Sequence, residues 1–204
     1  MTTVLTYPDD IVPDSIDWRI QYTTQVFLSP FGSATQTAEV PGARWSARLN
    51  YSNLQTSELR RLSAFFIQCR GMAGRFTLYD LTLAAPQLGE KDPEQVTAGT
   101  TPTKAKISIS DPADLTVGDY LECSPTPNGL TFVNSGPELK MITEIDGNVI
   151  TVEPPFRVTP TVGDAVIFNK AKTRFMLDTD DQVGWSSSGS IYLSNFTISC
   201  MEIF

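Results

Sequence analysis

The last fourteen residues of the chain, IYLSNFTISCMEIF, carry Ile191, Leu193, Phe196, Ile198 and Phe204 in one long apolar run. A strand this apolar belongs inside a sheet, because at an open edge it would template pairing with other chains. Its neighbours have to come from elsewhere in the sequence. Two short runs share one pattern: RFTLY, with Phe76 and Leu78 alternating, and TRFML, with Phe175 and Leu177 alternating. Between them the chain changes character. Residues 84–103 hold three prolines, two glycines and few large apolar side chains, which is linker composition. The two ends of the chain are therefore expected to build one discontinuous domain, residues 1–85 together with 173–204. Residues 86–103 read as a linker, and residues 104–172 as an inserted small β-barrel.

The first segment reads as mainly β with one packed helix. After a Pro- and Asp-rich arm, WRIQYTTQVFLS places Ile20, Tyr22 and Thr24 on one face, then shifts to Val26 and Leu28. RWSARLNY alternates Trp45, Ala47 and Leu49 against Arg44, Ser46 and Arg48, a half-buried strand with a charged face. Between these strands, Pro30 and Gly32 interrupt the pattern and Pro41-Gly42 is a strong turn signal. Ser29 to Trp45 thus reads as a long connection inside a hairpin-like unit. TSELRRLSAFFIQCRG then spaces Leu59, Leu62, Phe66 and Cys69 by three and four, with Phe65 beside them, which predicts a helix lying across a sheet. Thr56 or Ser57 is the expected N-cap and Gly71 the expected C-cap.

The middle segment is all β in pattern: KAKISIS, GDYLECS, LTFVN, ELKMITEI, NVITVEPPF and DAVIFNK, with Asp146-Gly147 as a two-residue hairpin turn. TVGDYL at 116–121 is echoed by TVGDAV at 161–166, read as similar openings of two strands and not as a repeat architecture. The last segment, from Thr173, reads as two more strands around a Gly/Ser-rich loop.

Composition narrows the chemistry. The chain has no histidine, so the usual general base near neutral pH and the commonest zinc ligand are missing. Its three cysteines, Cys69, Cys123 and Cys200, are far apart and lack a CxxC frame, so buried free thiols are expected and neither a disulfide framework nor a zinc site. The net charge of −8 argues against wrapping of nucleic acid through its phosphates. No apolar run is long enough for a membrane span, and MTTVLTYPDD lacks the basic and apolar parts of a signal peptide. The acids of LDTDDQVGW, Asp178, Asp180 and Asp181, depart from a calcium-loop pattern, with Gly184 at the seventh place and no closing glutamate. No P-loop, GxGxxG or GxSxG frame occurs. No catalytic residue, metal ligand or cofactor site is assigned, and no enzyme is expected. Arginines cluster in the first third, while acids concentrate in the N-terminal arm, linker and insert. Such segregation suits a head-to-tail ring as well as it suits scattered surface charge.

Several stretches come in a familiar order. They are Trp18-Arg19, FLSPFGSATQ at 27–36, PGARW at 41–45, GMAGRFTLYD at 71–80, GDYL at 118–121, EPPFR at 153–157, and FMLD leading to the closing MEIF. Over nearly the whole chain this series resembles the distal tail proteins of long-tailed bacteriophages. The resemblance implies a β-sandwich-like, tail-tube-like domain with a helix, and a second β domain, often OB-like. It implies a homohexameric ring around the DNA channel, with the tail-tube protein on one side and the baseplate hub or tail-tip protein on the other. Side fibres are a further partner of the outward-facing barrel. The location implied is the tail tip of a virion assembled in the bacterial host cytoplasm. On that footing the expected interface residues are Phe31, Gln36, Arg44, Trp45 and Arg48, although the alternation of Trp45 with Ala47 and Leu49 also fits a core residue. The competing reading is a carbohydrate-binding, or less favoured carbohydrate-cleaving, tail module built on exposed aromatics of the insert.

Overall fold

The computed structural model describes residues 4–28, 32, 35–125, 136–181, 186–187 and 194–204. The expected LTFVN strand, Ile191 and Leu193, Gly184, Trp185, Phe31 and Phe132 lie outside the described residues. The protein is mainly β with one α-helix and two sheets, one of which curls into a half-barrel.

The first sheet takes its strands from both ends of the chain. Its order is β1 (Val4–Thr6), β4 (Arg75–Tyr79), β11 (Lys172–Leu177), β13 (Ser194–Glu202), β3 (Thr35–Leu54) and β2 (Ser15–Leu28), with β12 (Ser186–Ser187) pairing to β13. Only β1–β4 is parallel. The closing strand lies inside the sheet between β11 and β3, as its apolar character requires. The two runs with matching alternation are direct neighbours, Phe76 opposite Phe175 and Leu78 opposite Thr173.

Helix α1 (Thr56–Cys69) covers this sheet. Leu59, Leu62, Phe66 and Cys69, the expected stripe, are all buried against Phe76, Phe175, Phe196 and Ile198. The helix starts one residue earlier than its hydroxyl candidates suggest: Gln55 is the N-cap, and the Glu58 carboxylate accepts its N–H at 2.9 Å. It ends at Arg70, in left-handed conformation (φ 54°), one residue before the glycine expected to cap it. Gly71 is also left-handed (φ 64°) and opens a short 3-10 turn, Gly71–Ala73, where the Asp180 carboxylate accepts the Met72 N–H at 2.8 Å.

The second sheet is wholly antiparallel, in the order β5 (Glu94–Gln95), β10 (Ala165–Ile167), β7 (Tyr120–Cys123), β8 (Glu138–Asp146), β9 (Val149–Glu153) and β6 (Lys106–Ser108). Its edges approach each other. The Thr97 N–H donates to the Ser108 carbonyl at 2.8 Å, and Glu94 accepts the N–H groups of Ser110 and Asp111. Segment 86–103 is thus not only a connection: β5 lies in it, Val96 is buried in the second core, and Lys91 is buried beside Glu94. At the β8–β9 hairpin Asp146 still pairs with Val149, so Gly147 (φ 55°) and Asn148 form the two-residue loop, one position later than expected.

The TVGD echo is one turn built twice. Asp119 accepts the Thr116 N–H and hydroxyl at 2.7 and 3.0 Å, and Asp164 accepts those of Thr161 at 2.7 and 3.1 Å. Gly118 and Gly163 have φ of 102° and 96°, a region that favours glycine. Each turn then docks on a neighbouring strand by the same two bonds: Gly118 N–H to Ile142 O with Ile142 N–H to Asp119 O, and Gly163 N–H to Val96 O with Val96 N–H to Asp164 O. The strands that follow, β7 and β10, pair antiparallel with Glu122 opposite Ile167, which are the same position in the two copies. The echo is therefore a local two-fold, more than a shared strand opening. Asp119→Ala strips acceptors from Thr116 and from the Gln87 N–H. It is expected to cost about 1–3 kcal/mol, read from the urea midpoint. An unchanged midpoint would mean that glycine geometry alone holds the turn.

Candidate interaction site

Strand β13 stops pairing with β3 at Met201 opposite Ser46. Beyond that point, among the described residues, β3 pairs with β2 alone, and the ladder runs on to Leu28 opposite Thr35. The result is a two-stranded arm, Gln21–Leu28 against Thr35–Arg44. At about 3.3 Å per residue it reaches roughly 25 Å past the sheet. The stretch expected to be a long connection is therefore mostly paired strand. Pro41-Gly42 is not the reversing turn but part of a bulge, where pairing steps from Gln21–Arg44 to Thr23–Val40. Proline suits such a place, since it has no N–H to give to the ladder, and Gly42 takes φ 130°.

Every residue of β2 from Gln21 onward is exposed. Val26, Phe27 and Leu28 are 57, 55 and 74% exposed, and Tyr22 and Val40 are exposed as well. Consecutive apolar residues point to opposite faces of a strand, so both faces of the arm carry bare apolar surface. A two-stranded ribbon on its own is marginally stable in water. The outer edge of β2 is also the edge of the whole sheet, and no lysine guards it within the arm. Exposed apolar faces, reach, and an edge to which no further strand pairs among the described residues together make the arm a surface built to be covered.

The expected interface residues fall in different places. Gln36 lies on the arm opposite Phe27 and is exposed. Arg44 is exposed at the arm's root, opposite Gln21. Arg48 is exposed on the outer face of the sheet opposite Asp17, whose carboxyl is held below the usual range first by its hydrogen bond to Arg19 and also by Arg48. Trp45 is 4% exposed and belongs to the core. Its indole donates to the Leu139 carbonyl at 2.9 Å, and its ring meets Trp18 at 6.3 Å and Tyr120 edge-on at 5.6 Å. It joins the two sheets within one chain and is not on a free surface. Phe31 lies outside the described residues.

Around Trp45 the seam between the sheets holds buried charge. Glu202 accepts the Trp45 N–H at 3.0 Å and the Thr173 hydroxyl at 2.7 Å, and burial pushes its carboxyl up. Burial also raises Glu122, which accepts the Lys172 N–H. Lys140 pairs with Glu138 at 2.9 Å, and Glu138 also accepts the Arg157 N–H at 3.0 Å. Arg157 stands 3.6 Å over the Phe204 ring. These groups escaped the sequence reading. For Glu202 a signal was present, since it continues the alternation of Phe196, Ile198 and Cys200; in ELKMI the charges alternate against Leu139 and Met141 and read as a polar face.

No protein-family model matches the chain, and no curated protein matches it.

Among the described residues no group of three or more His, Cys, Asp or Glu is placed to hold a metal ion, and no helix is long and apolar enough to cross a membrane. The three thiols are buried, and burial raises them all, Cys69 to about 11. Of the insert's aromatics, Tyr120, Phe156 and Phe168 are buried and present no ring face for a sugar to stack on.

Proposed function

We propose that the chain is a structural subunit of a long-tailed phage tail tip, of the distal tail type, that assembles with copies of itself into a ring. One face of the ring meets the tail tube and the other the baseplate hub or tip. The supports are the ordered sequence motifs and the chain's mainly β plan, one sheet covered by a helix and a second sheet curled into a half-barrel. The observation that carries the reading is the β2–β3 arm, whose exposed apolar faces, with Val26, Phe27 and Leu28, suit a neighbouring subunit. Cyclic symmetry covers every such arm at once, because each subunit gives its arm to the next. Gln36 lies along the arm and Arg44 at its root. The outward-facing barrel is the place for side fibres.

The test shortens the arm. Gln25 to Ala38 are removed and Thr24 is joined to Glu39 through an Asn-Gly turn, which keeps the ladder below. The removed residues are exposed where their burial is described, so the variant is expected to fold with a melting temperature close to that of the parent. The parent is expected to give rings in particle images and the variant monomers by light scattering. Rings formed by the shortened chain would refute the arm's role.

A further inference from the structure

Arg44 and Arg157 approach Phe204 from different parts of the fold. Arg157 lies 3.6 Å and Arg44 5.4 Å from the ring centroid. Both leave anchored backbone: Arg44 directly precedes buried Trp45, Arg157 directly follows buried Phe156, and the Arg157 N–H is fixed by Glu138. Neither guanidinium makes a close ion pair among the described residues, although Glu138 and Glu202 act on Arg157 at longer range. The Arg157 Nε is buried without an acceptor. Arg157 is half-buried, so the buried donor is costly to leave empty while the rest of the fork stays within reach of an incoming carboxylate.

We propose that Arg44 and Arg157, held over Phe204, form a clamp for an acidic side chain of a second copy of this chain. This rests on the ring reading. The charge balance of the chain favours that occupant. With 23 acids against 15 bases it carries −8, and this spot gathers Arg44, Arg157 and Lys140 against Glu138 and Glu202. Among the described residues, exposed acids without an ion pair lie on both parts of the fold, Asp111, Glu144, Asp146 and Glu153 on or beside the inserted sheet and Asp178 and Asp181 beside the first, so a second copy offers this spot several carboxylates. The clamp sits at the root of the arm, so one contact between neighbours engages both. A head-to-tail contact sets unlike patches against each other, which suits opposite charge.

Sedimentation velocity across a concentration series, at low and at molar salt, tests the clamp on the parent, Arg44→Gln, Arg157→Lys and Arg44→Gln/Arg157→Gln. Arg44→Gln is expected to weaken association about tenfold, as losing one well-placed interfacial charge pair does, and to flatten its salt dependence. Arg157→Lys keeps the charge but loses the fork, and is expected to weaken it as well. Arg44 is exposed, so Arg44→Gln remains decisive if the Arg157 variants fail to fold. Equal association and equal salt dependence in the parent and Arg44→Gln overturn the clamp and leave the ring standing. If shortening the arm leaves the assembly intact while Arg44→Gln dissolves it, the arm's role fails and the clamp stands. A parent that is monomeric at every concentration overturns the second copy as occupant. Titration with an oligoglutamate peptide, bound by the parent and not by Arg44→Gln, then assigns the clamp to an acidic partner of other origin.

Discussion

Trp45→Ala is expected to destabilise the protein by about 3–5 kcal/mol, the range for removing a fully buried large aromatic. In a chain of this length that is a fall in melting temperature of roughly 10 °C or more. Trp45 touches both sheets: its backbone N–H goes to Glu202 on β13, its indole N–H to Leu139 on β8, and its ring to Trp18 and Tyr120. Removing it opens a cavity at the seam and leaves the Leu139 carbonyl without that donor. Trp45→Phe separates the two parts. It keeps most of the packing, loses the indole bond, and is expected to cost about 1–2 kcal/mol. The measurement is chemical unfolding followed by far-UV circular dichroism. If both variants melt with the parent, Trp45 is not what joins the sheets, and its place as an interface anchor between copies returns.

The reason Trp45 was hard to assign from sequence applies more widely. Alternation reports that a side chain is covered, not what covers it. Trp45, Ala47 and Leu49 had to be buried, but the cover over Trp45 is Tyr120 and Leu139, some 75 and 94 residues away. Where a face is buried, the sequence was readable: the helix stripe, the interior closing strand, and the shared alternation of Phe76 and Leu78 with Phe175 and Leu177, although that the two strands are neighbours was not. Where no face is buried, there was nothing to read. Residues 35–40, TQTAEV, are polar and threonine-rich because the arm is exposed on both sides, so they carry no period of two and pass for a loop. Pro41-Gly42 reinforced that reading, since turns and bulges draw on the same residues. β5 is two residues long, too short for any pattern. The clamp had no local signature at all: Arg44, Arg157 and Phe204 meet only because both sheets end at one corner.

The buried charges at the seam give the second large effect. Lys140→Met keeps an unbranched apolar side chain but removes the ammonium that lies 5.5 Å from the Phe156 ring centroid and pairs with Glu138, both groups being no more than 2% exposed. Breaking a buried pair from one side is expected to cost about 3–5 kcal/mol, because the remaining carboxylate is left buried with less compensation. Glu138→Gln/Lys140→Met should recover part of that loss, since it removes both members of the pair and keeps an acceptor for the Arg157 N–H, while Arg157 loses the support of the Glu138 charge. The pH profile supplies an independent readout. Burial raises the carboxyls of Glu202 and Glu122, so the native chain holds protons there that the unfolded chain has released. Their contribution to stability is complete below the ordinary glutamate range and is lost as pH rises through the raised values. The exposed carboxyls run the other way. Asp9, Asp10, Asp14 and Asp17 are lowered by hydrogen bonds to Lys170, Arg61, Ser52 and Arg19, so what they add is present above the ordinary aspartate range and is lost as pH falls through their folded values. The melting temperature of the parent should therefore rise from neutral pH to about 5 and fall below about 4. Lys140 is one of the groups that hold Glu202 charged. In Lys140→Met the rise towards pH 5 should be steeper than in the parent. Parallel profiles in the two proteins would show that Lys140 and Glu202 do not share one electrostatic network.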